Sequence, residues 1–377
     1  MSTDPVELTQ DLIRHASVTP DAEAPIAMLS DLLQDAGFVC TRVDRNGIAN
    51  LYARHGGHGP VLGFNGHVDV VPVGNPEDWS SDPFAAEIRD GTMFGRGACD
   101  MKSGVAAFVA SAIDAADTCP GSIVLTITGD EEGDGIDGTA AILDWMDETG
   151  ERMDACIVGE PTCPNHIGEM IKIGRRGSMT ARITARGMQG HAAYPAQARN
   201  PIHAMIAYLD RLIATDLDDG TDHFDQTTLQ VTGFDTGNDA NNVIPASCRA
   251  MVNIRFNDAH TGVALSNWLH KEAEAVRREH DVPLELNISV SGESFVTPPG
   301  TLSGIVQQAV EDVTGHVPVM STTGGTSDAR FIRHHCPVIE CGLVGSTMHQ
   351  VDERVEVKDI VQLKAIYDRI IRGYFAT

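Results

Sequence analysis

Val61-Leu-Gly-Phe-Asn-Gly-His67-Val-Asp69 is an apolar run of strand length that ends at a glycine and delivers a histidine and an aspartate. Two later stretches repeat the design. Ile123-Val-Leu-Thr-Ile-Thr-Gly129 runs into Asp130-Glu131-Glu132-Gly133, and Ala155-Cys-Ile-Val-Gly159 runs into Glu160-Pro161-Thr162. Short continuous apolar runs suit strands buried on both faces, the kind found in parallel sheets covered by helices. Helical periodicity precedes the first run, at residues 25–36, and separates the three, at 104–116 and 139–149. The alternation predicts an α/β fold with a mixed, largely parallel sheet and helices on both faces.

The rhythm changes at residue 179. Strand patterns at 180–185, 227–234, 248–256 and 284–290 enclose helical patterns at 201–215, opened by Asn200, and at 262–278. That order, βαββαβ, is the ferredoxin-like split unit. After Pro298-Pro299-Gly300 the α/β rhythm returns and ends in an amphipathic helix at 357–374. The expected organisation is one domain made of residues 1–178 and 295–377, with a second, 179–294, inserted into it.

The chain has 377 residues and a net charge of −26, and its basic side is almost all arginine, with five lysines. Such a surface repels nucleic acid and anionic membranes, so neither is an expected partner. No apolar run approaches the ~20 residues that span a bilayer. The opening Met1–Glu7 has neither the basic nor the apolar part of an export signal, and the eight cysteines show no paired spacing. A cytoplasmic protein with reduced thiols is expected.

Ligands in open α/β sheets bind beyond the carboxyl ends of the strands, so the three acid- or histidine-bearing loops are placed to converge. Histidine and carboxylate donors together suit zinc, cobalt or manganese. A strand sets residues two apart on one face, so Asp69 can accept the second ring N–H of His67; read alone, the pair is more often an ordinary surface histidine. Glu131 and Glu132 point apart, so one can bind metal while the other faces the reacting water, although acidic pairs on loops are also commonly just solvated. Asp100, in Gly95-Arg-Gly-Ala-Cys-Asp-Met-Lys-Ser-Gly104, is by itself either a ligand or the N-cap of the helix that follows.

Gly66-His-Val-Asp-Val-Val-Pro72, Gly95-Arg-Gly-Ala-Cys-Asp-Met-Lys102, Asp130-Glu-Glu-Gly133, Val158-Gly-Glu-Pro-Thr162 and Ser346-Thr-Met-His349 occur in the order and spacing of the M20 metallopeptidase family. The chain resembles that family over essentially its whole length. The resemblance implies two divalent ions per subunit, Zn2+ with Co2+ able to substitute. His67 and Glu160 would hold one and Glu132 and His349 the other, with Asp100 bridging. It implies Glu131 as the general base, Asp69 as the support of His67, and a cis Asp100-Met101 bond. It further implies a homodimer formed through the inserted domain. His191, in Gln189-Gly-His-Ala-Ala-Tyr-Pro195, would then enter the partner's site to stabilise an oxyanion.

A second group of segments concerns substrate: Ile173-Gly-Arg-Arg-Gly-Ser178, Asn241-Asn-Val-Ile-Pro-Ala246 and Thr323-Gly-Gly-Thr-Ser-Asp-Ala-Arg330. With the His191 segment they resemble family members that hydrolyse N-succinyl-LL-2,6-diaminopimelate, a small-molecule tricarboxylate, in lysine and cell-wall precursor synthesis. The resemblance implies substrate contacts from Arg175, Ser178, Tyr194, Asn241, Asn242, Arg255, Gly325 and Thr326. An acidic chain that binds a tricarboxylate needs local fixed cations, and arginine offers bidentate carboxylate recognition. Family members that deacylate acetylornithine or other N-acyl amino acids are the nearest alternative. A non-catalytic metal-binding homologue is another, against which the intact Glu131 argues. A nucleotide-binding protein lacks support, since no GxGxxG or P-loop follows a strand. Cys99, Gly129 and Ala329 depart from the family's commoner alanine, serine and glycine without removing a ligand or the base.

Overall fold

In a computed structural model, which describes residues 3–376, Val61–His67 is a strand with every residue buried. Side chains alternate between its faces. On one face Phe64 stacks on Phe108 of the helix Ser103–Ala115 and meets Tyr367 of the helix Val357–Phe375 edge-on, with ring centroids 5.5 Å apart. On the other, Asn65 donates to Thr139 Oγ1, at the start of the helix Thr139–Thr149, at 2.9 Å. Helices cover both faces, which is why the run is apolar without alternation.

The strand lies inside an eight-stranded sheet of order Val39–Arg42, Asn50–His55, Ser122–Thr128, Val61–His67, Ala155–Val158, Val338–Glu340, Met170–Lys172, Val319–Ser321. Ser122–Thr128, Val61–His67, Ala155–Val158 and Val338–Glu340 run parallel. Antiparallel pairs occur where Val39–Arg42 and Asn50–His55 join the sheet and where Val338–Glu340 meets Met170–Lys172. The first of these follows from a connection too short for a parallel crossover. The fold is mixed α/β, with flanking helices. A three-stranded sheet, Arg354–Glu356, Thr92–Phe94 and Glu87–Arg89, ties the C-terminal part to the segment before Asp100.

Contacts divide the chain into two compact units. One runs through Gly174 and adds Thr297–Ser321 and everything from Ser327; the other is Arg175–Val296 with Thr322–Thr326. The second unit has a four-stranded antiparallel sheet of order Thr228–Asp235, Ser247–Phe256, Gly177–Arg186, Leu284–Gly292. Met179, Ala181, Ile183 and Ala185 alternate inward from one strand and pack with Tyr208, Leu212, Leu269 and Val276 of the helices Pro201–Ile213 and Gly262–His280. Asn200 caps the first helix by accepting from Ile202 N at 3.0 Å, as its side chain suggests, and Thr261 caps the second.

No helix among the described residues is long and apolar enough to cross a membrane. The eight cysteines are free. Part of the opening segment read for an export signal lies outside the described residues.

Candidate metal centre

Parallel pairing brings the ligand loops to one sheet edge. His67 is in register with Thr128, and Asn65 with Val158, so His67, the 130–133 loop and Glu160 leave three adjacent strands on the same side. Asp100 reaches this edge by another route. Its backbone and that of Met101 are non-helical, and the helix begins only at Ser103, so Asp100 is not an N-cap. The Asp100-Met101 peptide is cis. Two glycines that directly precede candidate ligands, Gly66 and Gly159, make room for Met101. A Cβ on either would lie within 2.8 Å of the Met101 methyl group.

One oxygen of Asp100 lies 3.3 Å from His67 Nε2 and the other 3.3 Å from His349 Nε2. Glu160 stands 3.7 Å from His67 Nε2, and Glu132 2.9 Å from His349 Nε2. Donor atoms of His67, Asp100 and Glu160 all fall within 4.8 Å of one another, and so do those of Asp100, Glu132 and His349. These are two candidate cation sites sharing one carboxylate.

Charge argues for cations here. Burial disfavours protonation of His67, yet the Asp100 carboxylate and the charges of Glu160, Asp69 and Glu131 outweigh it and hold the imidazole well above its usual pKa. Hydrogen bonds with Asp100 and then Glu132 raise His349 to about 10. Burial, followed by the charge of Glu160, pushes Glu131 well above the carboxylate range, and burial lifts Asp69 to about 6. Five acids meet two histidines, and carboxyl groups gathered this closely, three of them buried, favour counter-cations. The donor set fits two divalent ions, which would displace the histidine protons on binding.

Asp69 corrects one expectation. His67 Nδ1 lies 2.9 Å from the Asp69 carbonyl oxygen and 3.6 Å from its carboxylate, so the backbone carbonyl takes the ring N–H and leaves Nε2 for the ligand role. The carboxylate instead accepts the backbone N–H groups of Glu131 and Glu132, at 3.2 and 3.1 Å. Sequence reasoning also missed three buried ionic groups behind the site. Glu353 accepts from Arg96 and from the backbone around Asp100. Lys102 donates to the carbonyls of Leu12 and His15, and burial lowers it to about 7. Asp328 accepts from Thr139 Oγ1 at 2.7 Å. Asp328 and Lys102 fall within the 323–330 and 95–102 motifs without standing out there, and Glu353 carried no spacing that marked it.

The remaining expected residues belong to the second unit. Ser178 and Arg255 are cross-strand partners, and Arg175 donates to the Gly325 carbonyl, next to Thr326, at 3.1 Å. Burial and the nearby charge of Arg176 lower the pKa of Arg255, a sign of concentrated positive charge. His191 pairs with Val243 on a short ladder, Ala192 N donates to the Asn242 carbonyl beside Asn241, and the His191 and Tyr194 rings lie 5.6 Å apart. His191 and Tyr194 are exposed.

A model of the peptidase family M20/M25/M40 matches residues 63–373. A succinyl-diaminopimelate desuccinylase of Cereibacter sphaeroides is 62% identical over 380 residues, covering all of both chains. One of Dinoroseobacter shibae is 62% identical over 378 residues, covering 99% of this chain and all of the relative. Among solved structures, the M20 family metallo-carboxypeptidase Sso-CP2 from Sulfolobus solfataricus superposes with a TM-score of 0.82 at 16% identity, covering 99% of this chain and 100% of that one; at that identity the likeness speaks to fold alone. The matched residues include all five candidate ligand-bearing segments, from Gly66 through His349, and the full-length relatives are 62% identical, so the chain belongs to peptidase family M20/M25/M40.

Proposed function

We propose that the chain is a metal-dependent amidohydrolase that converts N-succinyl-LL-2,6-diaminopimelate and water to succinate and LL-2,6-diaminopimelate. The observation that carries the reaction class is Asp100, whose two oxygens face His67 and His349 separately. The succinyl substrate rests on full-length similarity to the desuccinylases and on the arginines of the second unit.

His67, Glu160 and Asp100 would hold one ion and His349, Glu132 and Asp100 the other, Zn2+ with Co2+ able to substitute. Bound there, the ions supply Lewis acidity toward the amide carbonyl and make water a stronger acid. Glu131 takes a proton from the attacking water at its carboxylate. It returns that proton to the amide nitrogen as the C–N bond breaks, so one carboxyl serves as base and then acid. Asp69 orients this step by holding the Glu131 backbone and, through its carbonyl, the His67 ring. Arg175, Arg255, Ser178, Tyr194, Asn241, Asn242, Gly325 and Thr326 bind the substrate's carboxylates and amine, and His191 donates to the oxyanion.

In this reading residues 1–178 and 295–377 form the catalytic domain, and 179–294 a ferredoxin-like domain for dimerisation. The sheet order of the second unit supports the topology. Its exposed Phe234 and Val290, on the two edge strands, support an association surface. The protein would act in the cytoplasm as a homodimer. The test is hydrolysis by metal-reconstituted protein of succinyl-diaminopimelate, acetylornithine and a neutral N-acyl amino acid. The first should be preferred strongly; preference for either of the others would overturn the substrate assignment.

A further inference from the structure

Glu353 is fully buried, and four donors converge on its carboxylate. Oε2 accepts from Arg96 Nη1 at 2.8 Å and from Gly97 N at 3.1 Å; Oε1 accepts from Cys99 N at 3.0 Å and Asp100 N at 3.1 Å. A carboxylate offers about four acceptor sites, and all are used. Gly97 precedes, and Cys99 and Asp100 lie in the opening of, a short kinked helical turn, Ala98–Lys102, so no preceding turn of helix supplies acceptors for their N–H groups.

Arg96 extends the arrangement. Its guanidinium also donates to the carbonyls of Gln350 at 3.2 Å and Pro72 at 3.3 Å, and it lies over the Trp79 ring. Gln350 follows His349, and Pro72 follows the His67–Asp69 segment by three residues. Glu353 itself stands four residues after His349, and its carbonyl accepts from Gly95 N at 2.9 Å. One buried ion pair thus touches the segments that bear His67, Asp100 and His349.

We infer that Glu353, paired with Arg96, is a positioning residue for the shared ligand: by gathering the Gly97, Cys99 and Asp100 N–H groups it sets where the Asp100 carboxylate stands between His67 and His349. The inference rests on the metal-binding part of the proposed function and is independent of the acyl group hydrolysed. Charge-assisted bonds to a buried carboxylate are short and directional, so they fix the backbone of Asp100 more tightly than packing alone.

The test is Glu353→Gln, which keeps size and shape but turns one acceptor oxygen into a donor facing N–H groups. Metal-free protein is titrated with zinc by calorimetry, and the dicobalt form is examined by visible absorption. A positioning role predicts that at least one of two binding events weakens by about tenfold or more. The cobalt ligand-field bands should change, and kcat should fall with KM for the succinyl substrate held. Wild-type affinities and an unchanged cobalt spectrum, even with a lowered Tm, would reduce Glu353 to a support of the fold and sink the idea. Should Glu353→Gln not fold, Glu353→Asp, which keeps the charge but withdraws it by one carbon–carbon bond, is measured in the same way. Native affinities and bands in that variant overturn the inference; intermediate weakening supports it. A wild-type chain that binds two cobalt ions yet prefers another N-acyl substrate would defeat the substrate assignment and leave this inference standing.

Discussion

The backbone N–H of Glu131 donates to the Asp69 carboxylate at 3.2 Å, and that of Glu132 to the same carboxylate at 3.1 Å. The two acids leave one anchored point and diverge, with Glu132 facing His349. Glu131→Gln should therefore keep both metals and lose about 10²–10⁴-fold in turnover, because proton transfer fails while the ligands survive. Glu132→Ala should weaken one metal. Metal analysis beside kcat decides; the opposite pattern would exchange the two roles.

Chelation tests the cation reading itself. Exhaustive treatment with a strong chelator should abolish activity, and added zinc or cobalt should restore it at two ions per chain. Full turnover from protein shown by elemental analysis to be metal-free would end the di-metal account.

Arg175, proposed above to bind a substrate carboxylate, is buried and donates to the Gly325 carbonyl. Arg175→Ala should raise KM for the tricarboxylate about 10–100-fold, since a hydrogen bond to a charged group contributes roughly 1.5–3 kcal/mol. A neutral N-acyl substrate should change far less. Equal loss on both would make Arg175 a strut for the 322–326 segment.

His191 is exposed in the second unit, and we place it as a donor to the partner subunit's site. Mixing His191→Ala with Glu131→Ala under subunit exchange creates heterodimers in which one site has both wild-type groups. Activity should return toward half of wild type per heterodimer. No gain over the separate mutants, with exchange verified, would exclude donation in trans.

Asp218, in the second unit, offers a pH test that involves no candidate metal ligand. Burial opposes its charge, but bonds from Thr227, the Gly220 N–H and Asn257 outweigh that and hold its pKa at about 2, against an ordinary 3.8. His260 Nε2 also lies 3.0 Å from it. A depressed carboxylate pKa stabilises the folded state above the unfolded value and loses that effect as pH falls through the folded one. Asp218→Asn should thus lower the Tm most above pH 4, with the gap to wild type closing toward pH 2. A gap that persists at pH 2 would show that charge is not its source.

Much of this was legible because strand runs that end in ligands declare themselves twice, by apolarity and by the residue that follows. Val61–His67, Ser122–Thr128 and Ala155–Val158 all lie at the centre of the sheet. Met170–Lys172, Val319–Ser321 and Val338–Glu340 escaped notice, since three residues cannot show a period. Glu353 was hidden for another reason. In Gln350-Val-Asp-Glu-Arg354 it reads as a solvated acid, and only the turn after His349 carries it inward. The Asp69 carboxylate was expected on a ring nitrogen because strand geometry favours that contact. It went to two backbone N–H groups because the 130–133 loop brings them within reach.

The sheet order also bears on synthesis. Val338–Glu340 pairs with both Ala155–Val158 and Met170–Lys172, so a nascent chain that has released its first three hundred residues from the ribosome still lacks the strand between them. The open strand edges it presents meanwhile are those most prone to pair with another chain, and His349 emerges later still. Completion of the Asp100, Glu132 and His349 cluster is then a terminal event of maturation, and chains cut short before that histidine should emerge as chaperone clients rather than as weak enzymes.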